Sequence, residues 1–277
     1  SEIKKLENLV YPILRILRTE VNGNFEYSIE DDIVVISGNE EVFRIPISEF
    51  KERANYLLSE IKSNTGTFSV PEIEEFMQSI NCLSLKASSS AKTDITIVVH
   101  DQRTGLQPSL GFSIKSQLGN PSTLLNAGKT TNFIFKIENL TLTQNQISEI
   151  NAIETRSKIK DRIEKISEFG GILEFQKTES SIFGNNLILI DSALPKIIAE
   201  SLKLFFTSTF STTIELTNQI STTNPLDYNL ETNHPFYSYK IKRFLTDIAL
   251  GMMPSKVWTG ELDATGGYLV VKENGEV

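Results

Sequence analysis

Residues 92–126 read KTDITIVVHDQRTGLQPSLGFSIKSQLGNPSTLLN, in which two apolar runs, Ile95 to Val99 and Leu110 to Ile114, flank a turn-like DQRTG. The pattern predicts a β-hairpin. Centred on Thr104 and Gly105, it sets Ile95 against Ile114, Ile97 against Phe112 and Val99 against Leu110, which is one apolar face. Residues two apart share a face, so the other side carries Asp94 against Lys115, Thr96 against Ser113 and Val98 against Gly111. A bulge or wider loop shifts this register, but a slip of one residue would turn Asp94 and Lys115 toward the side that should be buried. Asp94, Ser113, Lys115 and Gln117 therefore converge. A cross-strand ion pair on a wet face is common and contributes little. What distinguishes this one is the polar turn from Ser116 to Thr123, which opens an expected helix at Thr123 to Ala127. Hydroxyls, amides and a helix start beside a lysine suit a bound phosphate.

Composition sets the outer limits. At 277 residues and 39% hydrophobic content, the chain can bury a substantial core. Its single cysteine, Cys82, excludes an intramolecular disulfide framework, fits a reducing cytoplasm and sits in an apolar stretch that suits packing. No apolar run approaches the roughly 18 residues needed to span a membrane. The two histidines, His100 and His234, have no cysteines at zinc-ligand spacing. There is no GxSxG elbow and no GxxxxGK[ST] loop, which argues against that hydrolase class and against a Walker NTPase. The net charge of -8 opposes nucleic-acid binding by the chain as a whole. Its distribution matters more: Glu26 to Glu41 is acidic, whereas Lys86, Lys92, Arg103, Lys115 and Lys129 gather around the hairpin. A second basic and aromatic group is Tyr237, Tyr239, Lys240, Lys242 and Arg243. Its plainer reading is the wet face of a helix whose apolar side is Ile241, Phe244, Leu245 and Ile248.

Elsewhere the spacing predicts an amphipathic helix at the start of the chain, with Ile3, Leu6, Val10, Ile13, Leu14 and Leu17 on one side. It predicts a helix over VPEIEEFMQSI with Pro71 in its first turn, and one helix from Gln146 to Phe169 closed by Gly170-Gly171. Strands are expected at Ile172 to Phe175, Leu187 to Ile190 and Gly267 to Lys272, and a helix at Leu194 to Phe206. The Ser/Thr-rich stretch Thr207 to Asn224 reads as a loop or a helix edge. Asn274-Gly275 is a hairpin-turn signal with little chain after it, so the sequence reads as a fragment of a longer protein.

The strings TDITIVVHDQRTG (93–105), LGFSIKSQLGNPSTLLNA (110–127), IALGMMPSKVW (248–258) and DATGGY (263–268) resemble the HpaII-type family of type II restriction endonucleases over nearly the whole chain. That family is associated with cutting DNA at CCGG. The resemblance implies an α/β fold, a mixed sheet flanked by helices, with a PD-(D/E)xK restriction-endonuclease-like core. It implies a single nuclease domain over 1–277, truncated at both ends: a helical and β part at 1–85, a catalytic core at about 86–205, and a C-terminal helix and strand part at 206–277. A glutamate-bearing helix would precede the chain and further strands would follow it.

Carried over, Asp94 is the first acid of the motif and holds Mg2+, Ser113 stands at the second acidic position, Lys115 is the lysine, and Gln117 positions water or metal ligands. Ser113 is the serious departure, because a hydroxyl adds no charge to the shell of a hard cation. Glu72, Glu74, Glu75 and Asp101 are possible sources of a second acid, although helix-dipole and turn preferences explain them equally well. Asn126, Lys129, Thr130, Thr131 and Asn132 carry amides, an ammonium and hydroxyls suited to base edges and phosphates. The expected enzyme is a cytoplasmic, Mg2+-dependent type II site-specific deoxyribonuclease acting on double-stranded DNA, as a possible homodimer. A cognate methyltransferase would be its functional counterpart, and no membrane is involved. Two alternatives are a noncatalytic nucleic-acid or protein-binding module with a degenerate site, and a structure-specific repair nuclease.

Overall fold

A computed structural model describes residues 13–20, 23–29, 32–83, 92–118 and 123–277. Contacts within it divide the chain into two compact units, Ser1–Thr123 with Leu262–Val277, and Leu124–Glu261.

The first unit is built on a seven-stranded mixed sheet. Strands β1 (Ile13–Glu20), β2 (Gly23–Ile29), β3 (Asp32–Ser37) and β4 (Glu40–Pro46) form an antiparallel meander. Its last turn is Gly38-Asn39, and both residues have positive φ, as a two-residue turn matched to strand twist requires. Strand β5 (Ile95–Val99) pairs with β1 and with β6 (Ser109–Ser116), and β9 (Gly267–Val271) adds to β6 in parallel. Two helices, α1 (Ile47–Ser63) and α2 (Pro71–Ser79), supply Phe50, Phe76 and Met77 to a core with Phe25, Tyr27, Val35 and Ile45 of the sheet. Cys82 is buried in that core beside the Tyr27 hydroxyl, as packing rather than as a nucleophile. Tyr27, Ile16 and Ile97 are partners across β2, β1 and β5. The helices therefore cover the face that bears Ile95 and Ile97, and Asp94 belongs to the opposite one.

The second unit contains a two-stranded antiparallel sheet, β7 (Phe133–Glu138) with β8 (Ile172–Thr178), and six helices among its described residues. These are α3 (Gln144–Asn151), α4 (Lys158–Glu168), α5 (Ser181–Ile190), α6 (Leu194–Thr207), α7 (Thr213–Thr223) and α8 (Phe236–Leu250). Phe183, Leu187, Leu194, Phe244, Ile248 and Met252 form one core cluster, and Ile197, Ile220, Tyr237 and Ile241 form another.

Four expectations are corrected. The amphipathic helix expected at the start falls mostly on residues 1–12, outside the described residues, but Ile13, Leu14 and Leu17 belong to strand β1. The single helix over 146–169 is two, because no apolar residue falls between Ile153 and Ile159 to continue the stripe. Arg162 folds back there and donates to the Asn151 and Ile153 carbonyls that the break leaves open. Leu187 to Ile190 is the last turn of α5, not a strand, and a four-residue apolar run does not distinguish the two. The expected helix at Thr123 to Ala127 is irregular chain, followed by a short 3-10 turn at Lys129–Thr131.

The helix at 71–79, the strand at 172–178 and the helix at 194–207 form where the spacing placed them. The Ser/Thr-rich stretch resolves as α7, opened by a Thr212/Glu215 capping box. Thr217, Ser221, Thr222 and Thr223 donate to carbonyls one turn back, so their hydroxyls are satisfied inside the helix. Among the described residues no single helix is long and apolar enough to cross a membrane. The bent pair α5 and α6 passes that test only jointly, and it supplies Phe183, Leu187, Leu194 and Ile197 to the cores.

Candidate functional site

The hairpin register differs from the expected one by two residues. Ile95 faces Phe112, Thr96 faces Gly111 and Ile97 faces Leu110. The cause is the tip. Asp101 N donates to the Leu106 carbonyl at 2.9 Å, which closes a four-residue loop over Gln102 to Gly105, and Gly105 takes the left-handed conformation that ends it. The Asp101 carboxylate is used there, accepting from the Thr104 hydroxyl at 2.7 Å and Arg103 N at 2.9 Å. These bonds, Thr104 foremost, hold its pKa below the usual carboxylate range. A shift of two preserves every face but changes the partners. Asp94 now stands opposite Ser113 rather than Lys115, and among the described residues it makes no ion pair with that lysine.

The Asp94 carboxylate is fixed on one side only. Its Oδ2 accepts from the Ser113 hydroxyl at 3.0 Å and from Ile114 N at 2.6 Å, while Asp94 N donates to the Phe112 carbonyl. Ser113 is 3% exposed. Its hydroxyl is therefore committed to Asp94 and orients it. That leaves Oδ1 as the open oxygen of the pair.

Strand β9 completes this face. Ser113 is in register with Tyr268 and Lys115 with Val270, so all four side chains share one side of the sheet. The Lys115 ammonium lies 5.5 Å from the centre of the Tyr268 ring, a cation–π contact. Burial pushes the Tyr268 phenol up, and its buried hydroxyl has no hydrogen-bond partner among the described residues. The chain entering β9 crosses the same face: Gly266 N donates to the Gly111 carbonyl at 2.7 Å. A Cβ at position 111 would collide with the Asp263 backbone carbonyl and come within 2.8 Å of Thr93 Oγ1. Gly111 is the opening through which that segment approaches. Gly111→Ala is expected to destabilise the protein by about 1–3 kcal/mol, the usual cost of forcing an atom into a filled space. Urea unfolding checks this, and wild-type stability would mean that the 262–267 segment moves away freely.

A second lysine, Lys92, precedes Asp94 by two residues. Burial first, then the charge of Lys115, holds the Lys92 ammonium below its ordinary pKa, while Asp94 and Asp263 oppose the shift. Gln117 continues the same side of β6, with its backbone N–H on the Val271 carbonyl. Gln117 lines a groove of about 770 Å³ with Lys62, Thr65, Phe68 and Glu273.

Among the described residues no group of three or more His, Cys, Asp or Glu side chains could cage a metal. What Asp94 offers is a hard oxygen donor. That suits an oxygen-loving cation that keeps most of its waters or takes phosphate oxygens.

The remaining proposed residues lie elsewhere. Asn126, Lys129, Thr130, Thr131 and Asn132 belong to the second unit. There the Thr131 hydroxyl donates to the Asn126 and Gly128 carbonyls, and the Asn132 amide donates to Glu179. Those two side chains shape their own loop, while Lys129 and Thr130 are exposed. In α8, Lys240 pairs with Asp191 and Arg243 with Asp247, and Tyr237 is buried against Asn224. Ile241, Phe244 and Ile248 form the buried side, as the plainer reading expects. Lys86 and residues 119–122 of the polar turn lie outside the described residues. Glu72, Glu74 and Glu75 sit on α2, which packs through Ile73 and Phe76 on the sheet face away from Asp94. Residue spacing did not single out Tyr268 or Asp263. The one local signal was Gly111, a glycine in a polar strand face, which marks close approach of another backbone.

A model of the HpaII restriction endonuclease family matches residues 1–277. The chain is 52% identical over 281 residues to the type II restriction enzyme HpaII of Haemophilus parainfluenzae, covering all of this chain and 77% of that relative. No solved structure matches it.

Proposed function

Since the chain belongs to the HpaII restriction endonuclease family and is a site-specific deoxyribonuclease, we propose that it hydrolyses double-stranded DNA at CCGG with Mg2+ at the Asp94 face of its large sheet. The observation that carries this reading is the one-sided fixing of Asp94 by Ser113 and Ile114, with Lys115 two residues along the same strand face. We read the sheet from β1 to β9 as a variant of the PD-(D/E)xK core, and both compact units as parts of one nuclease.

Mg2+ would be held by Asp94, where it would neutralise the scissile phosphate and make bound water a better nucleophile. Ser113 keeps the carboxylate oriented by occupying Oδ2. Lys115, steadied by the Tyr268 ring, donates to a phosphate oxygen as negative charge builds on it. Gln117 orients water at the edge of the face. Asn126, Lys129, Thr130, Thr131 and Asn132 contribute contacts to the duplex, with Lys129 and Thr130 the members free to reach it. The protein acts in the cytoplasm as a homodimer on a symmetric site. A methyltransferase of the same specificity protects the host sequence.

Cleavage mapping tests the reading. With Mg2+, duplexes containing CCGG are expected to be cut and matched duplexes lacking it to survive, and EDTA is expected to stop the reaction. Equal cutting of both would assign a structure-specific nuclease instead. Binding without cutting would assign a noncatalytic module.

A further inference from the structure

Helix α8 carries a buried carboxylate in an unfavourable place. Asp247 is 1% exposed, and its Oδ1 has no hydrogen-bond partner among the described residues. Its Oδ2 accepts from Arg243 Nε at 2.9 Å, one helical turn away. Burying a charge is costly unless it is fully paired, and a carboxylate in the last turn of a helix also opposes the macrodipole. Arg243 is what the carboxylate serves. Its side chain is 53% exposed, it is held through Nε, and its two terminal nitrogens make no hydrogen bond among the described residues. A guanidinium fixed in this way is a rigid fork whose remaining donors are open to solvent.

We propose that Arg243, oriented by Asp247, contacts the DNA substrate, and that the exposed face of α8 is a duplex-binding surface. Tyr239, Lys242, Arg243 and Thr246 are all exposed and lie three or four residues apart, so they are neighbours on one side of the helix. Asp247 is the sole acid in α8 and is buried, so this face presents two cations and no exposed carboxylate, in a chain of net charge -8. Such a face is a local positive field suited to a phosphate backbone. The fork pairs with two acceptors in one plane, which on a duplex are two oxygens of a phosphate or O6 and N7 of a guanine. The inference takes from the family only that the substrate is DNA, and it is independent of the Asp94 face.

The test measures the affinity of the full-length protein in Ca2+, over a range of salt, for a duplex containing CCGG and for duplexes with each single-base change in it. Arg243→Lys keeps a charge beside Asp247 and removes the fork. It is expected to weaken binding to the CCGG duplex about ten- to a hundredfold, with the unfolding midpoint near wild type. Asp247→Asn frees the guanidinium without removing it, and a smaller loss in the same direction is expected. A third variant joins Arg243→Ala to Asp247→Asn, so that no buried charge is stranded. Lost discrimination at one base pair in these variants assigns the fork to a guanine. Uniform weakening across all duplexes, with the salt slope of the third variant shallower by about one, assigns it to a phosphate. Wild-type affinity and discrimination in Arg243→Lys and in the third variant overturn the proposal and leave the pair a structural one. Should the wild type not prefer CCGG, that recognition sequence fails, and Arg243 is still judged by affinity for any duplex.

Discussion

Replacing Lys115 with alanine is expected to lower the rate of cleavage by roughly 10²–10³-fold, the usual cost of deleting one charged donor aimed at developing negative charge. The side chain lies on the same sheet face as Asp94 and Ser113, with its ammonium over the Tyr268 ring. Its removal opens no core, so the unfolding midpoint is expected to stay near wild type. Duplex binding in Ca2+ should weaken modestly and uniformly across sequences, with the slope of log affinity against log salt reduced by about one. Plasmid cleavage at the wild-type rate would remove Lys115 from the reaction and return it to the role of a surface cation.

The largest effect on stability is expected at Leu187. Its side chain is 0% exposed and packs with Phe183, Leu194, Phe244, Ile248 and Met252. Leu187→Ala removes buried methyl groups and leaves a space that fixed helices cannot fully close, so a loss of about 3–4 kcal/mol is expected in urea unfolding. Leu189, two residues on, is 55% exposed, and Leu189→Ala is expected to change stability by no more than about 0.5 kcal/mol. The contrast is diagnostic. In a strand, positions 187 and 189 would share a face and respond alike. Equal effects would contradict α5.

These two sites show what could be read from the residues. The hairpin, its two faces and the convergence of Asp94 with Ser113 followed from strand periodicity, because a side chain's face depends only on parity along the strand. The register missed by two because it depends on how the tip closes. A hairpin centred on Thr104 and Gly105 implies a two-residue turn, whereas the Asp101–Leu106 bond encloses four residues, the wider loop that shifts the register. Parity survived the error and the Asp94–Lys115 pairing did not. The meander β1 to β4 was missed, although the Gly38-Asn39 turn was a usable local signal. The short apolar run at Leu187 to Ile190 was ambiguous in kind, and only the partners supplied by α6 and α8 make it a helix. Tyr268 was beyond local reading for a different reason. It reaches the Asp94 face through a parallel pairing between distant segments, and no spacing rule encodes which strand will dock on a given edge.

That parallel pairing also orders events during synthesis. All of Leu124–Glu261 is translated after β6 and before β9. A ribosome-bound chain that has exposed Asp94, Ser113 and Lys115 still lacks the strand and the crossing segment that finish their face. Closing so long a loop is also among the slower steps of folding. The proposed reaction face thus stays unassembled until the whole of Leu124–Glu261 and then β9 have been made.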